Sequence, residues 1–338
     1  MNVPESNVSL SVLDLSPIGS GRGGAAALHD TIDLARHAEE LGYARYWLAE
    51  HHNIGSVASS APSVMIASVA AATSRIRVGA GGIMLPNHAP LQVAETFRVL
   101  EALHPGRIDL GLGRAPGTDQ LTAIALRRSR EALTVDDFPD QYRELLAYVD
   151  GFPADHPFAP IKAIPDDVPL PPVWILGSSL YGGQAAAAFG TAFAFAGHFG
   201  SADPAEAVAG YRERFQPSER LSEPRVMLGV AAIAADTHER AEELALANDL
   251  SMVRLMQNQP GPLPTPEEAA AHPWTDQERA LAAGRRRFIS VGTAEEVRDD
   301  LERRRKEADA DELIITTQVH DPAERRRSYE LVAGAYEL

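Results

Sequence analysis

The sequence predicts an α/β protein of the (β/α)8 TIM-barrel class. Three observations predict it. Short apolar strand patterns alternate with helix-spaced apolar patterns, the alternation recurs eight times, and 338 residues suffice for one barrel of this kind. Strands separated by helices imply right-handed crossovers and a parallel sheet. Eight such units imply closure, with an open doubly wound sheet as the alternative.

The first strand is "VSLSVLDL" (8–15). Leu28, Ile32, Ala35, Ala38 and Leu41 then recur at helical spacing, and Gly42 stands where that helix ends. "YARYWLA" (43–49) is the second strand, and the alanine-rich 60–73 its helix. "IRVGAGGIML" (76–85) is the third, with a helix over 90–103; "RIDLGLG" (107–113) is the fourth, with helical patterns to about 149. "PVWILG" (172–177), "TAFAFAG" (191–197) and "RVMLGVAAIA" (225–234) follow, with helices over 180–189, 204–215 and 237–250. "AEEVRDDLERRRKEA" (294–308) is a helix before the eighth strand, "ELIITT" (312–317).

Two segments fit neither pattern. Residues 151–172 are a proline-rich excursion before the fifth strand. Residues 251–292 contain "QPGPLPTPEEAAAHPW", too long for a simple connection, and read as an insertion before the last helix and strand. Long loops of this kind serve as lids, and 258–275 is placed to close over a site. Residues 1–338 thus form one barrel domain with the 251–292 insertion.

The totals exclude several functions. Forty-seven acids against 31 bases give a formal net charge of -16, which repels nucleic acid. The absence of cysteine excludes disulfides, thiolate nucleophiles and cysteine-bound zinc. The longest nearly apolar stretch, 185–197, is too short to cross a bilayer. No basic-then-apolar leader opens the chain, so the expectation is a cytoplasmic protein without a membrane partner.

Barrel active sites occupy the carboxyl ends of the strands. Glu50-His51-His52 lies at that end of the second strand, beside Gly79 to Gly82 of the third. The fourth alternates Ile108, Leu110 and Leu112 with Asp109, Gly111 and Gly113, and runs into Arg114. The glycines serve either to leave room for something flat or to pack strand against helix. After the fifth strand, Ser178 and Ser179 are N-cap types, and the amides of the next helix can hold an anion. A flat-ligand cavity with a phosphate cradle suggests FMN.

These stretches resemble the bacterial luciferase-like flavin monooxygenases, the family of the alkanal monooxygenase alpha chain. The likeness spans nearly the whole chain and is carried by "AEHH" (49–52), "RIRVGAGGIMLPNHAPLQVAE" (75–95), "LEALHPGRIDLGLGRAPG" (100–117), "WILGSSLYGGQAAAAFG" (174–190) and "SVGTAEEV" (290–297). The resemblance implies that His51 is catalytic and that Glu50 stands beside the flavin. It implies a non-prolyl cis peptide at Gly81-Gly82 under the flavin ring. It makes Arg114, Ser178, Ser179 and Gly182 the phosphate site. Where the luciferases carry a glutamate, a threonine and a reactive cysteine, this chain has Ser178, Gly182 and Gly113.

The implied activity is a monooxygenase in which reduced FMN and O2 form a flavin hydroperoxide that oxidises a small organic substrate. A separate NAD(P)H:flavin reductase would supply the reduced flavin. A homodimer is implied, with contacts near the second and third strands. The deazaflavin F420 is the second choice of cofactor. His52, His88 and His104 are expected to be structural. Two further readings differ in class. A metal-dependent barrel hydrolase would use His51, His52, His198, His320 and Asp321. A non-catalytic flavin-binding protein would keep the barrel alone.

Overall fold

The computed structural model describes residues 8–127, 137–200 and 202–338. Their strands are β1 (Ser9–Asp14), β2 (Arg45–Leu48), β3 (Arg77–Ala80), β4 (Ile83–Met84), β5 (Ile108–Gly113), β6 (Val173–Gly177), β7 (Ala192–Ala196), β8 (Val226–Ala234), β9 (Ile289–Gly292) and β10 (Glu312–Thr316). All but β4 and β9 form a parallel barrel, closed where β10 pairs with both β1 and β8. The expected (β/α)8 barrel is therefore the fold. β4 pairs with β5, and β9 extends the far end of β8.

The helices are α1 (Gly24–Leu41), α2 (Pro62–Ala72), α3 (Pro90–Leu103), α4 (Gln120–Arg127), α5 (Phe138–Asp150), α6 (Leu180–Phe189), α7 (Pro204–Arg214), α8 (His238–Met256), α9 (Pro266–Ala271), α10 (Asp276–Arg286), α11 (Ala294–Glu307) and α12 (Pro322–Tyr336). Gly42 ends α1 at φ 92°, a left-handed conformation that glycine adopts without a Cβ clash. No helix among the described residues is long and apolar enough to cross a membrane.

Alternation along the strands separates two cores. On β1, Val12 faces the helices with Leu10, Leu34 and Tyr46, whereas Leu13 faces the barrel interior with Trp47, Trp174 and Ile314. Trp47 and Trp174 meet edge to face, their ring centroids 5.5 Å apart. Each fully buried large side chain contributes roughly 1.5–3 kcal/mol.

Ion pairs close the amino-terminal end of the barrel. Asp109, fully buried, accepts from Arg45 Nη1 and Arg77 Nη2 at 2.6 Å each, and from Trp47 Nε1 at 3.1 Å. Glu312 accepts from Ser11 Oγ at 2.6 Å and Arg45 Nε at 2.9 Å. Breaking one such buried pair costs about 3–5 kcal/mol, because the remaining charge is left uncompensated. Asp109 therefore belongs to the sealed end of the barrel.

The structure departs from the sequence pattern in three places. The expected strand 76–85 is split into β3 and β4 at Gly81-Gly82. Residues 251–292 are an ordered succession, not one long loop: α8 runs on to Met256, and α9, α10 and β9 follow. Capping boxes hold α9 and α10, at Thr265 with Glu268 and at Thr275 with Glu278. The chain ends on α12, an element beyond the eighth predicted strand. Residues 128–136 of the fourth helical pattern lie outside the described residues.

Candidate active site

At the carboxyl end of β2 the chain leaves the barrel as Ala49-Glu50-His51-His52. Two backbone bonds fix this corner: the His51 amide donates to Ser59 O at 2.9 Å, and the His52 amide to Gly117 O at 3.1 Å. Successive side chains then point apart. His51 lines a cavity of ≈ 260 Å³ at the barrel mouth. Glu50, fully buried, turns away and is not among the cavity's lining residues.

The Glu50 carboxylate accepts the Met84 amide at 3.0 Å and Nε2 of both His52 and His88 at 2.9 Å. A carboxylate can only accept, so each imidazole donates its Nε2 proton. Burial pushes the Glu50 carboxyl up. The bonds from His88, His52 and the Met84 amide outweigh it and hold the group below its ordinary pKa. Glu50 thus sits behind the cavity and ties the β2 corner to the β4 turn. His88, expected as a surface or packing residue, is part of this cluster.

The Gly81-Gly82 peptide is cis. Gly81 lines the cavity; a Cβ there would stand 2.7 Å from Leu13 Cδ1 and 3.3 Å from Trp47. Gly82 faces β5 instead, where a Cβ would lie 2.7 Å from Gly111 O. A Cβ on Gly111 would stand 2.0 Å from Ala80 O. Most glycines of this region therefore serve close backbone packing, while Gly81 and Gly113 open onto the cavity.

The β6 end supplies the polar side. Arg114, Ser178, Ser179, Tyr181 and Gly182 all line the cavity, and the Arg114 guanidinium lies 4.0 Å over the Tyr181 ring. Ser179 is the N-cap of α6 in extended conformation, without a side-chain capping bond. The Ser179 side chain thus does not cap the amino terminus of α6, where the helix dipole favours an anion. Gly182 fits because its backbone packs on Gly177, where a Cβ would come within 3.0 Å.

Among the described residues, four groups lining the cavity bury polar atoms without a hydrogen-bond partner: His51 Nδ1, His198 Nδ1, Thr316 Oγ1 and Arg285 Nε. His198, after β7, lines the same space. Burial pushes the His51 imidazole below its ordinary pKa, against the pull of the Glu50 charge, with the His52 charge adding to the fall. Burial takes His198 down to about 4, helped by Arg285 and His51 and opposed by the Gly229 backbone. Both imidazoles are neutral at pH 7.

His198 and Arg285 are the functional candidates that pattern reading left out. In the sequence pattern His198 stands only as a possible metal ligand, and Arg285 lies inside a proline-rich segment with the look of a loop. The capping box at Thr275 was the one signal that α10 would present its last turn. Of the segment 251–292, Met252, Arg285 and Ile289 line the cavity, and none of 258–275 does. Leu263 instead hydrogen-bonds the loop after β1, to Ile18 and Ser20. His320 is bound to Ser20 O at 2.9 Å, and Asp321 caps α12. Among the described residues no group of three His, Asp or Glu side chains is placed to hold a metal.

Comparison with known proteins gives a consistent result. A family model described as luciferase-like monooxygenase matches residues 8–312. The chain is 42% identical over 333 residues to a luciferase-like monooxygenase of Escherichia coli (strain K12), covering 98% of each. It is 35% identical over 331 residues to an N-acetyl-S-alkylcysteine monooxygenase of Bacillus subtilis (strain 168), covering 97% of this chain and 98% of the other. Among solved structures, apo-MsnO8 superposes with a TM-score of 0.89 at 36% identity, covering 98% of this chain and 99% of that one. Two more distant structures share the fold at a TM-score of 0.68. They are the oxygenating constituent of 3,6-diketocamphane monooxygenase with FMN, at 18% identity, and an F420-dependent secondary alcohol dehydrogenase, at 15%.

Proposed function

The chain belongs to the luciferase-like monooxygenase family, and from that premise we propose that it uses reduced FMN and O2 to oxygenate a small organic substrate in this cavity. The observation that carries the reading is the joining of an anion-ready α6 terminus with Ser178, Ser179 and Arg114 to an apolar cavity on which His51 opens. The residues present fit FMN. Its phosphate has the α6 amides, two hydroxyls and a guanidinium; its ring has Gly81, which leaves the cavity wall free of a side chain. An FMN complex of the same fold supports this choice, while the F420-dependent neighbour keeps the deazaflavin as the alternative.

Reduced FMN, when bound, supplies the electrons that activate O2. The protein's part is to hold, exclude and protonate. Leu13, Trp47, Met84 and Ile175 shed water from the cavity, which protects reactive species from hydrolysis. The His51 imidazole, neutral at pH 7, takes or returns a proton beside the reacting atoms. Glu50 positions the corner from behind. A separate NAD(P)H:flavin reductase delivers the reduced cofactor, and the exposed Val64, Val99 and Leu103 on α2 and α3 suit a homodimer contact.

Anaerobic titration with reduced FMN, reduced riboflavin and reduced F420 tests the reading. Preference for reduced FMN over both supports it. Preference for F420 would transfer the site to hydride chemistry.

A further inference from the structure

We propose that Arg285 is the receptor for a carboxylate on a small, otherwise apolar substrate, in a cavity that Asn248 of α8 and Thr316 of β10 also line. The inference rests on reading this cavity as the substrate site, and it adds the substrate's chemical class.

Arg285 stands in the last turn of α10 and lines the cavity. Its Nη1 donates to Phe199 O at 2.8 Å and its Nη2 to His198 O at 3.1 Å. Those carbonyls aim the guanidinium but carry no charge. Its Nε is buried without a partner, and no described carboxylate pairs with it. Its neighbour shows the contrast: Arg286, one position on, pairs with Asp249 at 2.9 Å and Glu242 at 3.2 Å. In a chain with 47 acids and 31 bases, a half-buried guanidinium left without an acid is conspicuous. Withdrawing a cation from water without a counter-ion is costly, and an entering anion would remove that cost.

The surroundings define the rest of the ligand. Phe199, Met252 and Ile289 line the same cavity and offer an apolar wall. Asn248, 7% exposed, and the unpartnered Thr316 Oγ1 supply further donors. FMN's phosphate is not the natural occupant, because its cradle is built from the ends of β5 and β6. Arg285 contacts the turn after β7, and Asn248 and Thr316 belong to α8 and β10. A guanidinium matches a planar carboxylate through parallel donors, which a neutral amide cannot reproduce.

The test is calorimetric titration of the flavin-free protein with octanoate and with octanamide, alongside a separate FMN titration. Octanoate is expected to bind about tenfold more tightly than octanamide. Arg285→Gln should remove that preference while FMN affinity stays unchanged, and Arg285→Lys should retain part of it. Equal binding of octanoate and octanamide by the unaltered protein, which needs no variant to fold, would overturn the proposal. So would an Arg285→Gln protein that weakens FMN binding but keeps the octanoate preference. An octanoate preference in a protein that does not bind FMN would support the carboxylate site and overturn the flavin reading instead.

Discussion

His88 Nε2 lies 2.9 Å from Oε1 of Glu50, and the two residues belong to different strand-end turns, after β4 and after β2. The bond fastens the turn that carries Met84 to the corner that carries His51, so two walls of the cavity are joined through one carboxylate. Removing the His88 imidazole takes a donor from a buried carboxylate. His88→Ala is expected to lower unfolding stability by about 1–3 kcal/mol, measured as a shifted urea midpoint at unchanged slope. A change within the error of the midpoint would show that the bond is not made in solution.

His51 opens on the cavity with a neutral imidazole, whereas Glu50 and His52 of the same corner do not line it. His51→Ala is expected to reduce substrate turnover by roughly 10²–10⁴-fold while the FMN dissociation constant stays nearly unchanged. Steady-state kinetics beside an FMN titration separates the two. Retained turnover removes His51 from the proton-transfer role.

Arg114, Ser178 and Ser179 are assigned to a phosphate, so their effect should depend on whether the ligand has one. Arg114→Ala is expected to weaken FMN binding by about 10–100-fold and leave riboflavin binding unaltered. Equal weakening of both would place Arg114 against the ring or in the packing of Tyr181.

His198 gives the fold an acid-sensitive group. Its folded pKa, about 4, lies below the unfolded value of 6.5, so the unfolded chain binds more protons between the two. Stability from keeping it neutral is therefore present above pH 6.5 and falls away as pH drops toward 4. His51, lowered in the same direction, adds to the slope. Carboxylates held below their ordinary values, such as Glu50 and Asp14, begin to act only near and below pH 4.5. The thermal midpoint should decline between pH 6.5 and 4.5, and His198→Asn should flatten that decline. An identical slope in the variant would refute the assignment.

The barrel was legible because each strand's alternation sorts its residues to two cores, as Val12 and Leu13 do on β1. Glycine and proline marked the helix ends sharply enough to place α1, α3 and α6 within a few residues. The break between β3 and β4 was not legible, because "VGAGGIML" keeps its apolar character straight through Gly81-Gly82. The prolines of 260–273 masked α9 and α10, although the Thr-Pro-Glu-Glu and Thr-Asp-Gln-Glu runs are capping-box sequences. Within the site, His51, Arg114, Ser178 and Ser179 follow strand ends and could be placed by counting strands. The rearward turn of Glu50, its bond to His88, and the joining of Arg285 to the same cavity depend on folding that brings distant turns together. No local spacing encodes those.

The most direct test is the reaction of the protein loaded anaerobically with reduced FMN and then mixed with O2, followed by flavin absorbance and oxygen uptake. The bound flavin is expected to be reoxidised with stoichiometric O2 consumption, by a course distinct from that of free reduced FMN and altered in His51→Ala. Reoxidation indistinguishable from that of free flavin, in a protein that binds F420 in preference, would contradict it.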